Sequence, residues 1–373
     1  MDSFQYRSFD QQVLFRPGCL EQLGQAVEPF GWQRLVLCTS PSLAAHGAAT
    51  TVAAGLGARL AGVFAAVQPH VQDVQLDEVL ALARECRADA FIGLGGGSPI
   101  GMAKAAAFAL AEQRGTESGL PVVAIPSTYA GSEMTPVFGV THSRETPPRK
   151  VTISDPRSVP RLVLYDPNLT LGLPAQTSAA SGLNALAHCF EALYSVTRHP
   201  FSSAAAARAV ELIWTWLPHC VRHGDDLAAR SGMLEGAHLA GLALSSVSMG
   251  LHHGLCHVLG GSAGVPHGLA NTILLPHVLR FNADATADRL LPAVAALGIS
   301  ADGRSAVAGV QAAAAAIAEL TARLGLPARL RDVGVAEADL PRLAQLAFQN
   351  RTVQNNPKPV AVEQLEGLLR AAW

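Results

Sequence analysis

Between residues 34 and 167, short β-type apolar runs alternate with longer helical stretches. The runs are RLVLCTS (34–40), LAGVFAAV (60–67), AFIGLGGGS (90–98), VVAIPST (122–128) and RLVLYDP (161–167), with helical patterns near 42–57 and 75–87 between the first three. Strands separated by helices of this length predict a parallel sheet covered on both sides. After Pro174 the texture changes to long Ala- and Leu-rich segments with few β-branched runs, continuing to Trp373. The pattern therefore predicts two domains, an α/β domain over 1–170 and an all-helical domain over 171–373. The Ala-rich stretch VQAAAAAIAEL (310–320) has flanking charges and high helix propensity and reads as an ordinary packed helix. No sequence repeat is seen.

The chain of 373 residues is 49% hydrophobic and 15% charged, enough for two compact cores. A formal net charge of −2 with no long Lys/Arg run argues against nucleic acid or an acidic membrane as the main partner and leaves a small-molecule substrate. The six cysteines, at 19, 38, 86, 189, 220 and 256, form no CxxC pair and lie mostly in apolar runs, as buried reduced thiols would. The start MDSFQYRSFDQQ has no signal-type apolar core, and no uncharged apolar segment is long enough to span a bilayer. A cytoplasmic protein is expected.

GLGGGSPIGMAKAAA (93–107) places Gly95, Gly96, Gly97 and Ser98 between a β-run and a helix whose first turn holds Pro99. Glycines let backbone approach a diphosphate, and the open amides of a helix N-terminus supply a positive end for it. A dinucleotide phosphate is the natural ligand; a tight strand-to-helix turn is the plain alternative, since the wording is not GxGxxG. IPSTYAGSEMTPVFG (125–139) follows another strand and is rich in hydroxyls, so Ser127, Thr128 and Ser132 are candidate contacts to the nucleotide, as is Thr39 at the end of the first run. No Asp or Glu follows that run to hold a ribose 2′-hydroxyl, so either NADH or NADPH suits the site. Arg149 and Lys150 are adjacent cations; Lys150 is taken as a cofactor contact, with a solvated surface pair as the alternative.

The helical half carries the reactive chemistry. In SGLNALAHCFEALYS (181–195), Asn184 and His188 are four apart and share a helix face; in LHHGLCHVLGGSAGVPHGLAN (251–271), His253 and His257 repeat that spacing and His267 follows a Gly-rich break. His188, His253 and His267 could ligate a divalent ion, but Asn184 offers an uncharged amide where a carboxylate would offset the ion, so no metal is expected. Instead the imidazoles of His188, His253, His257 and His267 can stabilise a developing oxyanion and one can deliver a proton. Spacing aims His253 and His257 into one pocket. His252 points elsewhere and reads as structural, while Asn184 orients substrate or a neighbouring imidazole.

The GGGS turn, the STYAGSE loop, the connector from Asp166 to Pro174, SGLNALAHCFEALY, and HHGLCHVLGG with PHG cover most of the chain. Together they resemble the iron-containing alcohol dehydrogenase superfamily, whose fold is also that of dehydroquinate synthase and glycerol dehydrogenase. The TYAGSEMTP wording and Asn184 in place of the metal-binding aspartate look most like its maleylacetate reductase branch. The resemblance implies a Rossmann-like dinucleotide-binding domain, a catalytic helical domain and a homodimer. It implies metal-independent reduction of a carbon–carbon double bond by NADH or NADPH in aromatic catabolism. Gly254 stands where those reductases are expected to carry a lysine, and PHGLAN (266–271) reads like the metal-dependent members. A relative acting on another activated carbonyl or enone, a metal-dependent alcohol dehydrogenase and a non-redox lyase or cyclase are the alternatives.

Overall fold

The computed structural model describes residues 3–145, 149–300 and 303–373, with the side chain of Arg149 outside that set. Residues 8–173 form one compact unit, and those from Pro174 onward, joined by the N-terminal residues up to Arg7, form another.

The first unit contains β1 (Gln12–Phe15), β2 (Leu35–Thr39), β3 (Leu60–Phe64), β4 (Ala90–Gly95), β5 (Val122–Pro126), β6 (Val137–His142), β7 (Arg149–Ser154) and β8 (Leu162–Tyr165). Its helices are α1 (Leu23–Val27), α2 (Pro41–Ala45), α3 (Ala48–Leu56), α4 (Asp73–Glu85) and α5 (Gly97–Arg114). Six strands form one sheet of order β1-β8-β5-β4-β2-β3, every neighbouring pair parallel. The apolar runs are explained by burial on both faces. Leu35, Leu37, Ile92, Leu94, Val123 and Ile125 join the core with Leu23, Val27, Val52 and Leu56 of α1 and α3. Their neighbours Val36, Cys38, Phe91 and Val122 join the opposite core with Val79, Ala83, Met102 and Ala106 of α4 and α5. Each fully buried Leu, Ile or Phe contributes roughly 1.5–3 kcal/mol.

Three local features depart from the expected pattern. The helix over 42–57 is split into α2 and α3 because Gly47 takes φ 85°, a left-handed conformation that favours glycine. The half-exposed edge strand β1 and the antiparallel ribbon β6–β7 are additional. The start of the chain, expected within the 1–170 domain, groups instead with the helical unit: the Tyr6 ring stacks on His199 at 4.7 Å and 21°.

Small residues bring α5 close to β4. A Cβ on Gly93 would stand 2.6 Å from the Ile100 Cα, a backbone atom that cannot rotate away. Gly93→Ala must push α5 off the sheet and is expected to lower stability by about 1–3 kcal/mol, measured as a lower denaturant midpoint.

The second unit is helical: α6 (Ala175–Tyr194), α7 (Pro200–Arg222), α8 (Leu227–Ser245), α9 (Leu251–Ala263), α10 (His267–Ala296), α11 (Ala306–Arg323), α12 (Leu340–Phe348), α13 (Arg351–Gln354) and α14 (Val362–Ala372). α6 is buried at every position from Gly182 to Tyr194 and packs against α7, α8 and α10, so its few polar residues face the interior of the unit. Among the described residues, no helix is long and apolar enough to cross a membrane.

Candidate active site

In the α/β unit, β4 runs into α5 through the glycine turn. Gly95 has φ 142°, and a Cβ there would stand 2.8 Å from the Pro99 ring; one on Gly96 would press on Thr128 at 3.2 Å. Gly97 is exposed, and a Cβ there would meet nothing within 4 Å. The N–H groups of Gly97 and Ser98 thus open the first turn of α5 beside free space, a cradle that suits a diphosphate. The second loop is pinned to the first, because the Ser127 N–H donates to the Gly95 carbonyl at 3.0 Å. Gly95, Gly96, Gly97, Ser98, Ser127 and Thr128 therefore come together. The His70 N–H donates to Ser98 Oγ at 3.1 Å. Burial, then the charge of Lys150, lowers the pKa of His70.

Thr39 does not join this group. Its side chain is fully buried and donates its hydroxyl to the Leu94 carbonyl at 2.9 Å, so it ties β2 to β4 rather than meeting a ligand. Arg149 lies outside the described side chains.

Lys104 holds the Ser132 segment. This wholly buried lysine of α5 donates Nζ to the carbonyls of Ser132 (2.7 Å), Thr135 (2.6 Å) and Val137 (2.9 Å). Burial pushes its pKa down to about 7 against the opposing charge of Glu133, whose Oε1 accepts from the Tyr165 hydroxyl at 2.8 Å. Lys104→Met removes the donor from three carbonyls, of which the Thr135 hydroxyl can serve two only weakly, at 3.3 Å. At about 1–3 kcal/mol for each buried polar group left unmet, the expected outcome is a loss of roughly 2–4 kcal/mol and weaker dinucleotide binding, read by thermal melting and a cofactor titration.

In the helical unit, α6 presents Asn184, His188 and Glu191 at i, i+4 and i+7 on one face. α9 carries His252, His253 and His257, and α10 begins at His267. The His188 and His253 rings stack at 4.9 Å and 28°. His253 lies 5.9 Å from His267 and 6.3 Å from His257, and His257 stacks on His267 at 5.9 Å and 20°. All four imidazoles form one cluster, in two environments. His188 and His253 are buried, whereas His257 and His267 are exposed.

Three buried atoms at this cluster have no partner: Asn184 Oδ1, His188 Nδ1 and His253 Nε2. Buried polar atoms are rarely left unmet, so these three, carried by neighbouring side chains, suit a polar ligand. Burial, with the charges of His253, His267 and His252, holds the pKa of His188 well below the usual histidine range. Burial and the charge of His253 push His252 down to about 4, and its Nε2 meets the Asn271 carbonyl at 3.0 Å, a structural placement.

Sequence spacing passed over Glu191. It is 1% exposed, with its carboxylate at the N-terminus of α9, where it accepts from the N–H groups of Gly250 (2.7 Å) and His252 (3.1 Å) and from His253 Nδ1. The signal was a lone carboxylate in an apolar helix, seven residues after Asn184.

The donor set does not fit a tightly held divalent ion. Nitrogens bound at about 2.1 Å around one tetrahedral ion lie roughly 3.4 Å apart. Among the described residues, the one His/Cys/Asp/Glu triple with ligand atoms all within 4.8 Å is Glu191, His252 and His253, not His188, His253 and His267. The atoms of that triple are already engaged with α9 amides, each other and Asn271. At the cluster itself Asn184 adds no charge.

Gly254 is a packing residue. A Cβ there would stand 2.4 Å from Val353 Cγ2 and 2.9 Å from the Val353 nitrogen, so α9 meets α13 at this position and no lysine fits.

Two family models match, Iron-containing alcohol dehydrogenase over residues 10–167 and the C-terminal part of the Fe-containing alcohol dehydrogenase family over residues 178–373. A maleylacetate reductase of Burkholderia cepacia is 36% identical over 373 residues, covering 100% of this chain and 98% of the relative. The crystal structure of maleylacetate reductase from Agrobacterium tumefaciens superposes with a TM-score of 0.87 at 34% identity, covering 100% of this chain and 99% of that one. An iron-containing alcohol dehydrogenase from Corynebacterium glutamicum superposes at 0.85 with 33% identity, covering 100% and 97%. The parallel sheet with its glycine turn, the helical unit with its histidine cluster and these full-length matches lead to one conclusion: the chain is an oxidoreductase and belongs to the iron-containing alcohol dehydrogenase family.

Proposed function

We propose that the protein is an NAD(P)H-dependent reductase of maleylacetate, converting it to 3-oxoadipate without a resident metal ion. The observation that carries this reading is the buried group of Asn184, His188 and His253, whose unpartnered atoms Oδ1, Nδ1 and Nε2 offer hydrogen bonds where the family implies a metal. Full-length similarity to maleylacetate reductases supports the substrate.

When bound, the reduced nicotinamide supplies a hydride to the electron-poor alkene carbon. The Gly97 and Ser98 amides hold the diphosphate, and Ser127 and Thr128 orient the nucleotide. As hydride arrives, charge gathers on the conjugated carbonyl oxygen as an enolate. Imidazole donors of His188 and His267 stabilise that oxygen, Asn184 orients the substrate or a neighbouring imidazole, and His253 gives the proton at its Nε2 to the adjacent carbon. His257, exposed and stacked on His267, supports the solvent side of the cluster. A homodimer belongs to the same reading, and so does a cytoplasmic location, which six free cysteines, five of them buried, suit.

Turnover of maleylacetate with NADPH or NADH deuterated at C4 tests the reaction. One deuterium in the alkene-derived part of 3-oxoadipate is the expected result; no product with either cofactor, beside activity on simple aldehydes, would contradict it.

A further inference from the structure

We infer that Glu191 is a positioning residue that fixes His253 as its Nδ1–H tautomer, so that Nε2 is the atom presented to the reaction. The inference rests on the assignment of the histidine cluster as the active site.

The hydrogen bonds settle the tautomers in sequence. His252 Nε2 faces the Asn271 carbonyl, which can only accept, so His252 carries its proton at Nε2 and its Nδ1 has a lone pair. That Nδ1 lies 3.4 Å from His253 Nδ1, whose other neighbour is the Glu191 carboxylate. With an acceptor on each side, His253 Nδ1 must carry hydrogen. Its Nε2, buried and without a hydrogen-bond partner among the described residues, is then the ring atom left for the reaction. Glu191 is itself held by the α9 amides of Gly250 and His252, so it locates the helix and the imidazole together.

A proton leaving Nε2 must leave behind a neutral ring protonated at Nδ1, which the carboxylate accepts both before and after transfer. Glutamine breaks this selectively. Its oxygen, at the Oε1 position, can still accept from the Gly250 and His252 amides; its NH2, at the Oε2 position, loses the weaker bond from the His253 N–H (3.3 Å) and, facing Nδ1, requires a lone pair there, which moves the ring hydrogen to Nε2.

The experiment compares wild type, Glu191→Gln, His253→Gln and the double variant, with the protein 15N-labelled at histidine and the tautomer read by two-bond 15N–1H correlations at pH 8. The expected wild-type result is an Nδ1–H ring for His253, moved to Nε2–H in Glu191→Gln. With it should come a loss of ~100-fold or more in kcat, unchanged NADPH affinity, and a double variant no slower than His253→Gln alone. An Nε2–H ring in the wild type, a shifted tautomer with kcat intact, or additive losses in the double variant would overturn the inference. The wild-type spectrum needs neither the variant's folding nor any substrate, so an Nδ1–H ring in a protein inert to maleylacetate would refute only the proposed substrate.

Discussion

His253→Gln is expected to lower kcat by roughly 10²–10⁴-fold, the usual worth of a positioned general acid, while NADPH binding stays near the wild-type level. Of the buried imidazoles, His188 is kept neutral by burial and by its histidine neighbours, and His252 is engaged with the Asn271 carbonyl. His253 alone of these three has a carboxylate hydrogen-bonded at Nδ1 and a buried unpartnered Nε2. That carboxylate orients the ring so that Nε2 is the atom left for proton transfer. Stopped-flow single turnover and steady-state kinetics separate the effects. The loss should appear in kcat and kcat/KM alike, and His257→Gln, altering an exposed ring, should cost far less. A defect confined to KM would show that His253 only binds.

The second large effect concerns metal. Asn184→Asp adds one negative charge to a cluster that already holds four imidazoles, three of them His188, His253 and His267. Even at the dielectric constant of water, a carboxylate about 2.2 Å from a divalent ion gains about 4 kcal/mol, a ~500-fold change in affinity. Zinc and iron bound per protomer, measured by elemental analysis after dialysis against each metal, should rise from substoichiometric in the wild type toward one in the variant. Metal-free activity should fall, because a carboxylate at this position repels the charge that develops on the oxyanion. Equal retention in both proteins would show that Asn184 does not decide the chemistry.

How much of this was legible in the sequence depended on whether the relevant force acts locally. The central strands could be seen because burial on both faces makes runs such as LVLCT and AFIGLG apolar throughout. QVLF of β1 is short and half-exposed, and the β6–β7 ribbon is bordered by polar residues, so neither carried that signature. The glycine turn and the spacing of Asn184 with His188 were also local, and the structure brings their residues together. Thr39 was misread because strand order, invisible in the chain, puts the Leu94 carbonyl beside its hydroxyl. Gly254 drew attention for a missing charge, whereas the contact of α9 with α13 decides that position. Glu191 was overlooked because its partners lie about sixty residues away, at the amides of an approaching helix.

Reduction of maleylacetate by protein that has been stripped of metal tests the central claim most directly. The enzyme should be chelated, shown by elemental analysis to hold no zinc or iron, and assayed for NADPH and NADH oxidation before and after each metal is added back. Full activity in the stripped protein, unchanged by either ion, is the predicted result. Activity lost on chelation and restored by iron or zinc would contradict the account and return His188, His253 and His267 to the role of metal ligands.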